Sequence, residues 1–180
     1  MINVALSLLH YYPSFYNSEH IALGVLFYCI DENIVKFKKI KRWSRVSSFD
    51  DEANIQLLKL QLDAIENEVE NNLLNPIDKF DIYDYTRFYV NELQFSEVTI
   101  QKTKDKFDEF VDTMTKFYLN YDFEKKHRLT KDEKDNVIKN LLDNNQFEYT
   151  KGKTNGYFTE NVKFDYLITK NNSDYGIKIF

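Results

Sequence analysis

Ten consecutive residues, Ile21-Ala-Leu-Gly-Val-Leu-Phe-Tyr-Cys-Ile30, carry no charge. A run of this length falls well short of the about 20 apolar residues that cross a bilayer. Its β-branched and aromatic content favours an extended conformation, so it predicts a strongly buried strand. A shorter apolar run, Val4 to Leu9, precedes it and is closed by His10-Tyr11-Tyr12-Pro13, where Pro13 removes a backbone donor. Ser14 to His20 reads as a polar turn and Asp31-Glu32-Asn33 as a turn of hairpin length. Ile34 to Ile40 then returns as a half-exposed strand with Lys36, Lys38 and Lys39 reaching solvent. Three strands joined by short turns predict an antiparallel meander.

The runs Leu8-Leu9-His10-Tyr11-Tyr12-Pro13 and Ser18-Glu19-His20-Ile21-Ala22-Leu23-Gly24-Val25-Leu26-Phe27 resemble the opening of a bacterial family known as domain of unknown function 3037. Its members typically read Arg-Tyr-x-Pro in one strand and Gly-Glu-x-x-Asn-x-Gly-Val in the next. Pro13, Glu19 and Gly24 fit that pattern, while His10 stands in place of Arg, Ser18 of Gly and Ala22 of Asn. The resemblance continues at Leu93-Gln94-Phe95-Ser96, ahead of a long helix, and at Phe164-Asp165-Tyr166, which opens a terminal hairpin. It implies an architecture and no activity. Some members are encoded beside HipA-like kinase genes, which implies an operon partner.

A chain of 180 residues suits one domain, 1–180, that buries roughly two thirds of its unfolded surface. With 43% hydrophobic residues it is not a disordered segment, and thirteen Tyr and fifteen Phe predict a core packed largely by rings. Four Gly and two Pro favour long regular elements. The net charge of -5 opposes non-specific attraction to nucleic acid or an anionic membrane, while leaving room for a local basic patch. Cys29, the single cysteine, lies in the apolar run and reads as a small buried residue. Neither a secretory leader pattern nor a membrane-length run is present, so a cytoplasmic location is expected. The wealth of Asn, Lys and Ile suggests a low-GC bacterial or phage coding source.

Helical spacing dominates the middle. Ile55, Leu58, Leu62, Ile65, Val69 and Leu73 fall on one face, with Ser48 or Asp50 as the expected cap and Asn75-Pro76 as the break. Ile77 to Asn91 suits helix or strand; a short helix followed by a strand from Leu93 to Gln101 is the favoured reading. From Thr103 to Phe123 the stripe Phe107, Phe110, Val111, Met114, Phe117, Tyr118 and Tyr121 predicts a central helix against the sheet. Thr130-Lys131-Asp132-Glu133 has capping-box spacing ahead of Val137, Ile138, Leu141 and Leu142. Strands at Val162 to Thr169 and Tyr175 to Phe180 follow. The fold class expected is therefore α+β: N-terminal antiparallel strands, central amphipathic helices and a C-terminal β-hairpin.

For function, the segment Lys36, Lys38, Lys39, Lys41, Arg42, Trp43 and Arg45 interleaves cations with aromatic rings, as a nucleic-acid surface requires. The competing explanation is an edge strand whose lysines deter pairing, with Trp43 in the core. Tyr83, Tyr85 and Tyr89 form a candidate protein-interaction patch, since amphipathic Tyr is favoured at interfaces. Asp165 followed by Gly176-Ile177-Lys178 approximates the metal-binding pattern of restriction-like nucleases, with Gly176 standing where a carboxylate is required. Asp78, Asp81 and Asp84 would share a helical face, and Glu19-His20 is a potential acid/base pair in a turn. His10, His20 and His127 show no ligand spacing, and phosphate-binding and nucleophile-elbow motifs are lacking. No catalytic residue, metal or cofactor is expected. The resulting expectation is an accessory or adaptor protein for a partner encoded nearby, in a toxin-antitoxin or phage-defence setting. The alternatives are a nucleic-acid-binding protein using 36–45 or a degenerate restriction-like nuclease relative.

Overall fold

The computed structural model describes the chain apart from residues 15, 17, 71–78, 155–161, 171–172 and 180. Two compact units are formed, Met1–Arg128 and Leu129–Phe180. In the first, the apolar run becomes strand β2 (Ile21–Cys29), flanked on both sides by antiparallel partners, β1 (Ile2–Tyr11) and β3 (Ile34–Lys39). Every residue of β2 except Ala22 is buried, as a strand between two neighbours and under helices on both faces must be. The meander is thus present, in the order β3-β2-β1.

The far side of β1 is occupied by β4 (Leu93–Phe95) and β5 (Thr99–Thr103), both antiparallel to it. The expected single strand Leu93 to Gln101 is therefore two segments. Between the pairs Leu9↔Phe95 and Leu6↔Thr99, Ser7 and Leu8 face three residues, Ser96 to Val98, so the edge carries one residue too many. The irregularity is held by polar bonds. Buried Ser7 donates its hydroxyl to the Ser96 carbonyl (2.6 Å), and the Ser96 hydroxyl accepts the Leu8 N–H (3.0 Å).

Strand alternation sorts the core into two layers. Helix α4 (Phe107–Tyr118) covers the face that carries Phe27, whose ring meets Phe110 edge-on at 6.5 Å. Helices α2 (Ile55–Glu70) and α3 (Ile82–Arg87) belong to the opposite face, where Phe37 stands opposite Leu26, Leu9 stands opposite Phe95, and Phe95 meets the rings of Tyr85 and Tyr89. Leu58, Leu62, Ile65 and Val69 form the buried stripe of α2; Leu73, Asn75 and Pro76 lie outside the described residues.

Two helix ends differ from expectation. A short helix, α1 (Ser44–Phe49), takes up Ser48, and the Asp50 carboxylate is engaged by the Tyr11 hydroxyl (2.6 Å) and the Glu52 N–H. Asn54 instead caps α2, accepting the Leu57 N–H at 3.0 Å. Helix α4 stops at Tyr118 rather than reaching Phe123, and single 3-10 turns follow at Asn120–Asp122 and Lys125–His127. The chain turns there because the Asp122 carboxylate takes the backbone N–H groups of Lys41 (2.9 Å) and Arg42 (2.7 Å). Tyr121 is carried off the buried stripe and is 57% exposed.

In the second unit Thr130 and Glu133 form the anticipated capping box at the start of α5 (Lys131–Asn144). The expected hairpin gains a third strand: β6 (Tyr149–Thr154), β7 (Val162–Lys170) and β8 (Ser173–Ile177) make an antiparallel sheet in that order. Leu142, Tyr166, Ile168 and Ile179 are its core, and the buried Tyr166 hydroxyl is satisfied by the Asp135 carboxylate at 2.7 Å. The architecture is α+β. Among the described residues, no helix is long and apolar enough to cross a membrane.

Candidate functional site

The basic segment is split by its own strand geometry. Lys36 and Lys38 point toward α4 and Lys39 toward α2, because neighbouring strand residues face opposite ways. Lys36 donates to Asp108, and that bond holds the Asp108 carboxyl below the usual carboxylate range. Lys39 pairs with Asp63 and Glu66; burial works to lower its pKa, the two carboxylates outweigh it, and the net shift is upward. The outward N–H of Phe37 on this edge strand is taken by the Glu70 carboxylate at 2.8 Å, which blocks pairing with another strand.

Beyond β3 the cations are disposed differently. Lys41, Arg42 and Arg45 are exposed, and half-buried Trp43 lies beneath the Lys59 ammonium, 5.6 Å from its centroid. The Arg45 guanidinium sits over the Tyr121 ring at 5.3 Å, and that of Arg128 over the same ring at 5.2 Å. The structure thus joins Lys41, Arg42 and Arg45 to Tyr121 and Arg128 and separates them from Lys36 and Lys39. The sequence pattern places Tyr121 on the apolar stripe and carries no local signal that links Arg128 to Arg45.

The three tyrosines also part company. Tyr83 is exposed, whereas the Tyr85 hydroxyl donates to Glu68 (2.9 Å) and lies 3.1 Å from that of Tyr89. Burial, the Tyr89 hydroxyl and Glu68 together push the Tyr85 pKa upward. Positions two apart on a helix do not share a face. Tyr89 borders a groove of ≈ 580 Å³ between α2 and the segment Phe88–Leu93, lined also by Gln61, Ala64, Phe88 and Val90, with Glu68 and Glu92 as its charged residues. Phe88 is 67% and Val90 66% exposed. Leu57 and Leu60 are exposed on α2, each four residues before a lining residue, Gln61 and Ala64, so an outer apolar stripe leads toward the groove. The signal available in the sequence was a pair of leucines out of phase with the core stripe.

A second constellation joins the two ends of the β1–β2 connection. The His10 and His20 rings meet edge-on at 4.5 Å, and Tyr12 lies 4.9 Å from His20. The Ser18 carbonyl accepts from His20 Nδ1 at 2.9 Å. Burial, then His20, brings the His10 pKa down to about 4. Among the described residues, no group of three or more His, Cys, Asp or Glu is arranged to hold a metal.

The acidic candidates have structural tasks. Asp81 caps α3 by accepting the Tyr83 and Asp84 N–H groups, Asp84 pairs with Arg87, and Asp78 lies outside the described residues. The Asp165 carboxylate accepts the Ile179 N–H at 2.8 Å, which holds its pKa low, and Lys178 donates to the Lys163 carbonyl. The Phe164 ring fills the space a side chain at Gly176 would need, so a carboxylate at that position has no room.

Residues 6–117 match the family described as protein of unknown function (DUF3037). The chain belongs to that family. The match takes in β2, the basic segment, the groove and the Leu93–Ser96 motif of this DUF3037 chain, and it leaves Phe164–Tyr166 outside. Neither the curated proteins nor the solved structures include one that matches it.

Proposed function

We propose that this DUF3037 protein is a non-catalytic accessory or adaptor module of the bacterial or phage cytoplasm. Its partner is a protein encoded nearby, in a toxin-antitoxin or defence setting, and it docks in the groove between α2 and Phe88–Leu93. The observation that carries this reading is the exposure of Phe88 and Val90 in the lining of one concavity, with Leu57 and Leu60 exposed on α2 one turn before its lining residues Gln61 and Ala64. Among the described residues, Glu68 and Glu92 are the charged ones that line the groove, so the complementary segment is apolar with flanking Lys or Arg. The test is tagged purification from the native host at moderate salt, with and without nuclease, comparing the wild type with Leu60→Glu/Phe88→Glu. Both positions are exposed, so the variant should keep its melting temperature. A nuclease-resistant protein that co-purifies with the wild type and is lost with the variant is expected. Equal recovery of the same protein with both would refute the groove as the docking site.

A further inference from the structure

The Asp122 carboxylate, 9% exposed, ties the first 3-10 turn to the backbone of Lys41 and Arg42, and Tyr121 lies between Arg45 and Arg128. These contacts merge two basic stretches that lie some 80 residues apart in the chain, Lys41 to Arg45 and Lys125 to Arg128. We infer that Lys41, Arg42, Arg45, Lys125, Lys126 and Arg128 make one composite cationic surface that binds the phosphate backbone of nucleic acid.

Two observations support this. First, the cations are available. Among the described residues, Arg42, Arg45 and Arg128 have no carboxylate partner, whereas Lys36 and Lys39 are already neutralised. Lys126 is the exception, paired with the Glu124 carboxylate just before the second stretch at 3.2 Å, with His127 4.0 Å from the same oxygen. Second, the guanidiniums are positioned. Both lie over one ring, and the Arg128 Nε donates to the Phe123 carbonyl at 3.0 Å, which fixes that guanidinium. A fixed planar fork suits phosphate oxygens better than a mobile ammonium. Tyr121 serves as a platform for arginines, so the surface reads backbone charge and not base identity.

The experiment is fluorescence anisotropy of a labelled oligouridylate with the full chain. Wild type should bind at about 50 mM NaCl and lose affinity steeply toward about 200 mM, as counterion release requires. Arg45→Glu/Arg128→Glu should weaken binding about tenfold or more and flatten the salt slope by about one unit per lost phosphate contact. Arg45→Lys/Arg128→Lys, which keeps the charge, should retain the slope. Lys36→Gln should bind as the wild type does, as should Leu60→Glu/Phe88→Glu, which separates this surface from the groove. Failure of the wild type to bind at low salt, or wild-type binding by the reversed-charge variant, would overturn the inference. So would displacement of the oligonucleotide by polyglutamate at equal charge concentration, which would mark a surface for acidic protein.

Discussion

The ring of Phe37 fills the space beside Gly24: a Cβ built on that glycine would stand 2.5 Å from Phe37 Cζ and 3.1 Å from the Lys38 carbonyl oxygen. Phe37 is fully buried, so its ring has nowhere to retreat. The glycine of the Gly-Val pair thus serves close packing between β2 and its neighbour. Gly24→Ala should cost about 1–3 kcal/mol through overpacking. Urea denaturation checks this, and Phe37→Leu in the same chain should recover part of the loss. An unchanged midpoint for Gly24→Ala would contradict the packing described.

Helix α2 allows a paired test of its two stripes. Leu62 is fully buried and Leu60 is 66% exposed. Leu62→Ala should destabilise by about 2–5 kcal/mol, since it removes buried methyl groups and leaves a cavity. Leu60→Ala should stay within about 0.5 kcal/mol of the wild type. Thermal melts of both variants decide it; similar shifts would place the helix in the wrong rotation.

The His10 imidazole makes stability depend on pH. Its folded pKa of about 4 lies below the ordinary 6.5, so as pH falls the unfolded chain takes up the proton first. The contribution of neutral His10 is complete above pH 6.5 and is lost as pH falls toward about 4. Between those limits the wild type should lose more stability than His10→Gln, in which this titration is absent and the carboxylates still titrate. Parallel stability curves for the two would remove His10 from the account.

In the second unit, Gly176→Asp would drive a carboxylate into the Phe164 ring and should destabilise the β7–β8 pair. Asp165→Ala removes the acceptor of the Ile179 N–H and should chiefly speed hydrogen exchange at that amide. Exchange monitored by NMR distinguishes the two, and slow exchange at Ile179 in Asp165→Ala would show that the amide has another anchor.

Elements whose signals are local are legible in the amino-acid order alone. An uncharged run read out as β2, a Thr-x-x-Glu spacing as the cap of α5, and two stripes as the buried faces of α2 and α4. Each depends on the two- or 3.6-residue period of a backbone, or on a bond that spans three residues. What distant segments do to one another is set by the folded arrangement. Asp122 ended α4 early by binding amides some 80 residues away, and Ser7 with Ser96 broke the expected Leu93–Gln101 strand in two. Pairing also settled which way each lysine of β3 points and what neutralises it, and it brought His10 to His20 and Arg45 to Arg128 across Tyr121. A local period states that a side chain has a face; what waits on that face is set by strand order and helix packing, which no window of neighbouring residues contains.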